Sequence, residues 1–218
     1  MIRPPASRIF QSWGLGPDFE AISDTSLATL FRDLQTGKIA TRNVAVDIAD
    51  SPDWGTDRQV AQKLLYDRAC GAGAAIEFGV VVEDVYDTAA EATVKIEGGR
   101  TVKADLVLAA DGIRSRIRSR ILADVKSPID PIISKITLYG IRHTLDELRS
   151  DAQSKRLTES ANLNVWMGKS LQVVGRSSHK LDRFGALFGI VADHTDQKGL
   201  WDEVSRPRRK GWRYLLPL

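Results

Sequence analysis

The chain has 218 residues, 43% hydrophobic and 27% charged, which is enough length and apolar content to bury a core. A formal net charge of +3 is too mild for a dedicated nucleic-acid binder, and a single cysteine, Cys70, excludes an internal disulfide. No apolar run approaches the roughly 20 residues of a spanning helix, and the opening Met-Ile-Arg-Pro-Pro carries no apolar signal core, so composition points to a soluble, cytoplasmic chain.

In chain order, Pro4-Pro5 followed by Ala6–Trp13 predicts a helix, because proline is tolerated in a first turn. Ile9, Phe10 and Trp13 would form its apolar stripe, and Gly14 would stop it. Gly14-Leu-Gly16 is not a dinucleotide loop, since it follows a helix and lacks a third glycine. Residues 27–34 and 39–46 read as a hairpin turning at Gln35-Thr-Gly-Lys38. A polar loop, 47–56, precedes a helix over Asp57–Cys70 with Val60, Leu64 and Leu65 on one side and Asp57 at its start. Gly71-Ala-Gly73 resembles part of a phosphate loop but lies between a helix and a strand, the reverse of the order that mechanism requires. Residues 76–78, 80–86 and 92–97 read as strands, with a tight turn at Gly98-Gly99 and a return over 101–103.

The next stretch carries the chemistry. Leu106–Ala110 is a continuous apolar run, expected as a strand buried on both faces of a parallel sheet. After Asp111-Gly112 the period changes, and Ile113, Ile117 and Ile121 recur every fourth residue, as on a helix face. A strand there would align Arg114, Arg116, Arg118 and Arg120 on one side, where like charges repel, so the helix is preferred. Strand, Asp-Gly turn and helix start place a ligand at the carboxyl end of the strand, against helix N–H groups suited to phosphate. Beyond 122 the sequence is expected to be β-rich: strands over 133–141, 163–166, 171–175 and 184–192, with a polar helix over 144–154. The tail, with Trp201, Arg206, Arg208, Arg209, Lys210 and Trp212, reads as a solvated end or the stub of a longer helix ahead of a contact for an anionic partner. His143, His179 and His194 show no metal-ligand spacing, and there is no Gly-x-Ser-x-Gly elbow.

Asp111-Gly112-x-x-Ser115-x-x-Arg118 after an apolar strand resembles the Asp-Gly motif of the class A FAD-dependent monooxygenases, the salicylate-hydroxylase-like aromatic hydroxylases. Pro4 to Gly16 is similar to that family's segment following the first nucleotide-binding unit, and Trp166-Met-Gly168 to its substrate sheet. The resemblance implies an α/β (α+β) fold: a partial FAD/NAD(P)-binding Rossmann-like domain over 1–125 and part of an inserted mixed β-sheet substrate domain over 126–218, as in p-hydroxybenzoate-hydroxylase-type flavoproteins. It implies FAD as cofactor, NAD(P)H as co-substrate, O2 and a small, commonly aromatic substrate, with no nucleic acid. Asp111 and Gly112 would lie at the FAD pyrophosphate, with Ser115 and Arg118 holding turn and helix. Arg58 matches the family's Arg-x-x-Leu-x-x-x-Leu helix, though Ala61 replaces the first leucine, so an FAD contact and a solvated surface arginine both stand. No catalytic acid or base is assigned. The family's Gly-x-Gly-x-x-Gly loop and its Gly-Asp motif have no counterpart here, so the chain is expected to match the central portion of a member and to hold FAD weakly. A cofactor-free interaction module and a related FAD reductase are the alternatives.

Overall fold

Proline in the first turn and a left-handed glycine after the last set the bounds of the first helix, α1 (Pro4–Ser12), in the computed structural model, which describes residues 1–44, 51–123, 134 and 136–191. A second helix that the sequence reading does not foresee, α2 (Gly16–Ile22), starts two residues after Gly14, with Pro17 in its own first turn. The apolar stripe of α1 is only partly used. Phe10 stacks on Phe19 of α2 at 4.6 Å, and Phe19 stacks on Trp54 at 5.2 Å, whereas Ile9 and Trp13 stay exposed.

Trp54 corrects the reading of 47–56 as a plain polar loop. It lies in β4 (Trp54–Gly55), which pairs antiparallel with β1 (Asp24–Thr25), and it exchanges two backbone hydrogen bonds with Ile2. The expected hairpin forms from β2 (Ala28–Asp33) and β3 (Ile39–Val44). The helix α3 (Arg58–Gly71) matches the expected span within one residue at each end.

Then come β5 (Val82–Asp87), β6 (Ala92–Ile96) and β7 (Thr101–Ala104), an antiparallel meander turning at Gly98-Gly99. The expected strand at 76–78 is irregular, and Phe78 is exposed. After a single helical turn, α4 (Arg118–Ile121), the long strand β8 (Ile136–Thr144) leads to α5 (Leu145–Arg149). Thr144 and Glu147 form a capping box there, and Leu145 and Leu148 turn inward. A 3-10 turn at Lys155–Thr158 precedes β9 (Leu163–Met167), β10 (Leu171–Ser178) and β11 (Arg183–Val191).

The main sheet runs β3-β2-β9-β10-β11-β8. Its β2–β9 pair is parallel and its other pairs are antiparallel, which makes the mixed sheet that was expected. Alternation along β10 and β11 sends Val173, Phe184, Ala186 and Phe188 to one face. There they meet Trp166 from β9 and Leu145, Leu148 and Leu157 from α5 and the 3-10 turn, forming the core.

The chain divides into two compact units: Met1–Ala69 with the residues from Ser134 onward, and Cys70–Ile133. The main sheet draws on residues to both sides of position 125.

Two expectations for 106–122 need correction. Leu106–Ala110 is not a sheet strand in the structure, and Leu106 and Leu108 are 71% and 80% exposed. A run that is apolar on both sides needs strands along both edges and cover on both faces, and the meander of the same unit supplies neither. The helix begins at Arg118, five residues later than its periodicity suggests, because the Asp-Gly turn holds residues 112–115. Of the three isoleucines only Ile117 is buried. Val46, residues 47–50, Ile133, Ala192, His194 and the basic tail lie outside the described residues.

Replacing Trp54 by alanine removes the end of the Phe10–Phe19–Trp54 stack from a fully buried site. The expected loss is about 3–5 kcal/mol of stability, read from the urea unfolding midpoint, and a loss under about 1 kcal/mol would contradict this packing.

Candidate functional site

Four of the five sequence-selected residues come together in one turn. Gly112 sits at φ 81°, a backbone conformation that favours glycine, and a side chain there would meet nothing within 4 Å, so its outer side is open. The Ser115 backbone N–H donates to the Gly112 carbonyl at 3.1 Å, which closes the turn. The Asp111 carboxylate accepts from the Ser115 hydroxyl and, at 3.1 Å, from the Arg116 backbone N–H. Arg118 reaches back, and its guanidinium donates to the carbonyls of Ile113 and Gly112, each at 2.9 Å. Asp111 therefore reaches forward across Gly112 to the Arg116 backbone, and Arg118 reaches back to the turn's own carbonyls.

This geometry sets the charge state. The hydrogen bond from Ser115 is the main reason the Asp111 carboxyl lies below the usual carboxylate range, with the Arg116 N–H and the Arg118 charge adding to it. Asp111 is therefore ionised at neutral pH. Residues 111–120 hold four arginines, Arg114, Arg116, Arg118 and Arg120, against this one carboxylate, so the stretch carries excess positive charge. Arg120 also bonds to β5, at 3.4 Å to the Val85 carbonyl and 3.6 Å to Asp84. An open glycine in a stretch with excess positive charge has chemistry suited to an anionic group such as a diphosphate. The roles of Arg116 and Arg120 were not legible in the motif, because one acts through its backbone and the other through a strand 35 residues earlier in sequence.

Arg58 belongs to the other unit, where it is the exposed first residue of α3. The residue before it does more than expected. Asp57 accepts the Gln59 backbone N–H at 2.8 Å, which caps α3. Its other oxygen meets Arg142 of β8 at 3.2 Å and Arg183 of β11 at 3.4 Å, and its side chain is 7% exposed. Both partners lie at least 85 residues away in sequence, out of reach of any local pattern. An open cleft of about 520 Å3 lies between α2 and α3, lined by Ile22, Val60 and Leu64 and bridged by the Asp18–Arg68 pair at 2.5 Å; it contains none of the five residues.

Among the described residues no group of His, Cys, Asp and Glu is arranged to hold a metal. His143 pairs with Glu147 at 3.1 Å, and His179 with the Thr158 carbonyl at 2.7 Å. No helix among the described residues is long and apolar enough to cross a membrane.

Residues 9–160 match the sequence model of a family described as an FAD binding domain. The chain is similar to the FAD-dependent monooxygenase OpS4 of Beauveria bassiana, with 24% identity over 181 residues that cover 81% of this chain and 42% of that relative. Among solved structures, CtdE in complex with FAD and a substrate superposes with a TM-score of 0.76 at 21% identity, covering 94% of this chain and 52% of that one. A salicylate hydroxylase substrate complex gives 0.69 at 17% identity, covering 87% and 47%. HpxO of Klebsiella pneumoniae with FAD and uric acid gives 0.69 at 18%, covering 94% and 51%. At these identities the structural likeness establishes the fold, and the chain spans less than half the length of the curated relative.

Changing Ser115 to alanine should raise the Asp111 pKa toward the ordinary carboxylate value, as followed by NMR titration of its carboxyl carbon; an unchanged pKa would contradict the hydroxyl's role. Because the folded-state pKa is depressed, Asp111 stabilises the turn fully above its unfolded pKa. That contribution fades as pH falls through the folded value.

Proposed function

This chain belongs to the FAD binding domain family, and from that premise we propose that it works as part of an FAD-dependent monooxygenase, an oxidoreductase that uses NAD(P)H and O2 to hydroxylate a small aromatic substrate. The observation that carries the reading is the Asp111–Arg118 turn, with its open glycine and excess positive charge, inside the matched residues. The monooxygenase name of the Beauveria relative, the salicylate hydroxylase substrate complex and the HpxO complex with uric acid support the reaction and a small-molecule substrate.

When bound, FAD supplies the redox chemistry. The chain's own residues bind and orient. Asp111 and Gly112 present the turn backbone to the diphosphate, and Ser115 and Arg118 hold that backbone in place. Arg58 is proposed to lie beside the cofactor. The FAD-binding part is assigned to residues 1–125 and the substrate-binding sheet to 126–218, with the β2–β3 hairpin contributing to that sheet from the first part. An exposed Cys70 as the one cysteine suits a reducing, cytoplasmic setting.

A second reading, an interaction module that holds no FAD, is favoured by the exposure of Leu106 and Leu108 directly before the turn. FAD titration of the purified chain, followed by quenching of flavin fluorescence, separates the two. The first reading expects saturable binding that weakens about tenfold or more in Arg118→Ala, since hydrogen bonds to charged groups contribute about 1.5–3 kcal/mol. A folded chain with no saturable binding, or an Arg118→Ala variant that binds equally well, would support the second. Arg58→Ala resolves the remaining alternative, because unchanged FAD affinity would return Arg58 to the solvated surface.

A further inference from the structure

Four arginines alternate along 114–120, and the serine between the last two has no part in closing the Asp111 turn. The Ser115 hydroxyl is held by Asp111. Ser119 is exposed, and its hydroxyl makes no hydrogen bond among the described residues. Arg116 and Arg118 stand three residues and one residue before it, and Arg120 directly after. No other serine or threonine in the chain has arginine at both of those preceding positions. Protein kinases with carboxylate-lined clefts choose a hydroxyl by this kind of charge pattern.

The backbone around Ser119 is also weakly held. The residue belongs to α4, a four-residue helix with no buried side chain. A single helical turn makes too few hydrogen bonds to offset its nucleation. Ile117, just ahead of α4, is the nearest buried anchor. The segment therefore opens locally at low cost and can lie extended in another protein's cleft.

We propose that Ser119 is a phosphorylation site for a serine kinase selective for arginine ahead of the serine, and that the phosphate weakens anion binding at the Asp111–Arg118 turn. In the transfer, the Ser119 Oγ forms a bond to the γ-phosphorus of Mg-ATP. The bond from that phosphorus to its bridging oxygen breaks, ADP leaves, and the hydroxyl proton passes to the kinase's carboxylate base. The roughly two negative charges of the phosphate offset most of the excess of four arginines over Asp111. Its oxygens also stand one residue from Arg118, where they compete with the Gly112 and Ile113 carbonyls for that guanidinium. The effect on binding rests on the diphosphate reading of the turn, whereas the modification itself does not.

The test incubates the full chain with Mg-ATP and, in parallel, the catalytic subunit of cyclic-AMP-dependent protein kinase and the catalytic domain of protein kinase C, with sites mapped by tandem mass spectrometry. One phosphate is expected, on Ser119, with none taken up there by Ser119→Ala and uptake about tenfold slower in Arg116→Gln. No uptake with either kinase, phosphate mainly on another residue, or a rate unchanged by Arg116→Gln would overturn the site. The phosphorylated chain, compared with the unmodified one by amide NMR titration with adenosine diphosphate, is expected to bind about tenfold more weakly at the Gly112–Arg118 amides, the equivalent of one charge-assisted hydrogen bond. Equal or tighter binding would overturn the effect on the turn. An unmodified chain that gives no response to adenosine diphosphate would remove that effect together with the diphosphate reading, while the mass map would still decide the modification.

Discussion

The functional reading depends on a turn that is closed by its own charged side chains. An Asp-Gly step with a glycine in the left-handed region is intrinsically soft, because glycine loses more conformational freedom on ordering than any other residue. Here Asp111 and Arg118 lock it from both sides, one accepting from Ser115 and the Arg116 N–H, the other donating to the carbonyls of Gly112 and Ile113. The lock leaves the outer side of Gly112 open, within a stretch rich in arginine. Binding a diphosphate on such a turn requires little further ordering, which is how preorganisation raises affinity.

Asp57 plays a comparable organising role in the other unit. A carboxylate this well covered is costly unless it is paired, and Asp57 is paired twice while it also caps a helix. It ties the start of α3 to the ends of β8 and β11, fixing Arg58 next to it in sequence and leaving a net positive edge on the sheet.

Much of this was legible in the sequence where the physics is local. The hairpin at 28–44, the glycine-turned meander, the three consecutive strands after 163 and the helix after Asp57 all follow from turn residues and periodicity. The motif spacing of Asp111, Ser115 and Arg118 also placed them within hydrogen-bonding reach of one turn. Two of the failures were non-local. Trp54 sits in a stretch that reads as a polar loop, and only its stacking partner Phe19, 35 positions earlier, makes it core. Leu106–Ala110 has the composition of a central strand, but strand formation requires neighbours, and composition cannot supply them. The isoleucine period predicted a helix from 113, yet side-chain hydrogen bonds of Asp111 claimed that backbone first, the usual competition between local side chains and helix.

The central claim is that this turn recognises a diphosphate, and amide NMR of the chain with adenosine diphosphate, using adenosine as the control, tests it most directly. The account predicts saturable shifts of the Gly112–Arg118 backbone amides with the diphosphate and none there with adenosine. Shifts of equal size with adenosine, or amides at 112–118 that do not respond to the diphosphate, would contradict it.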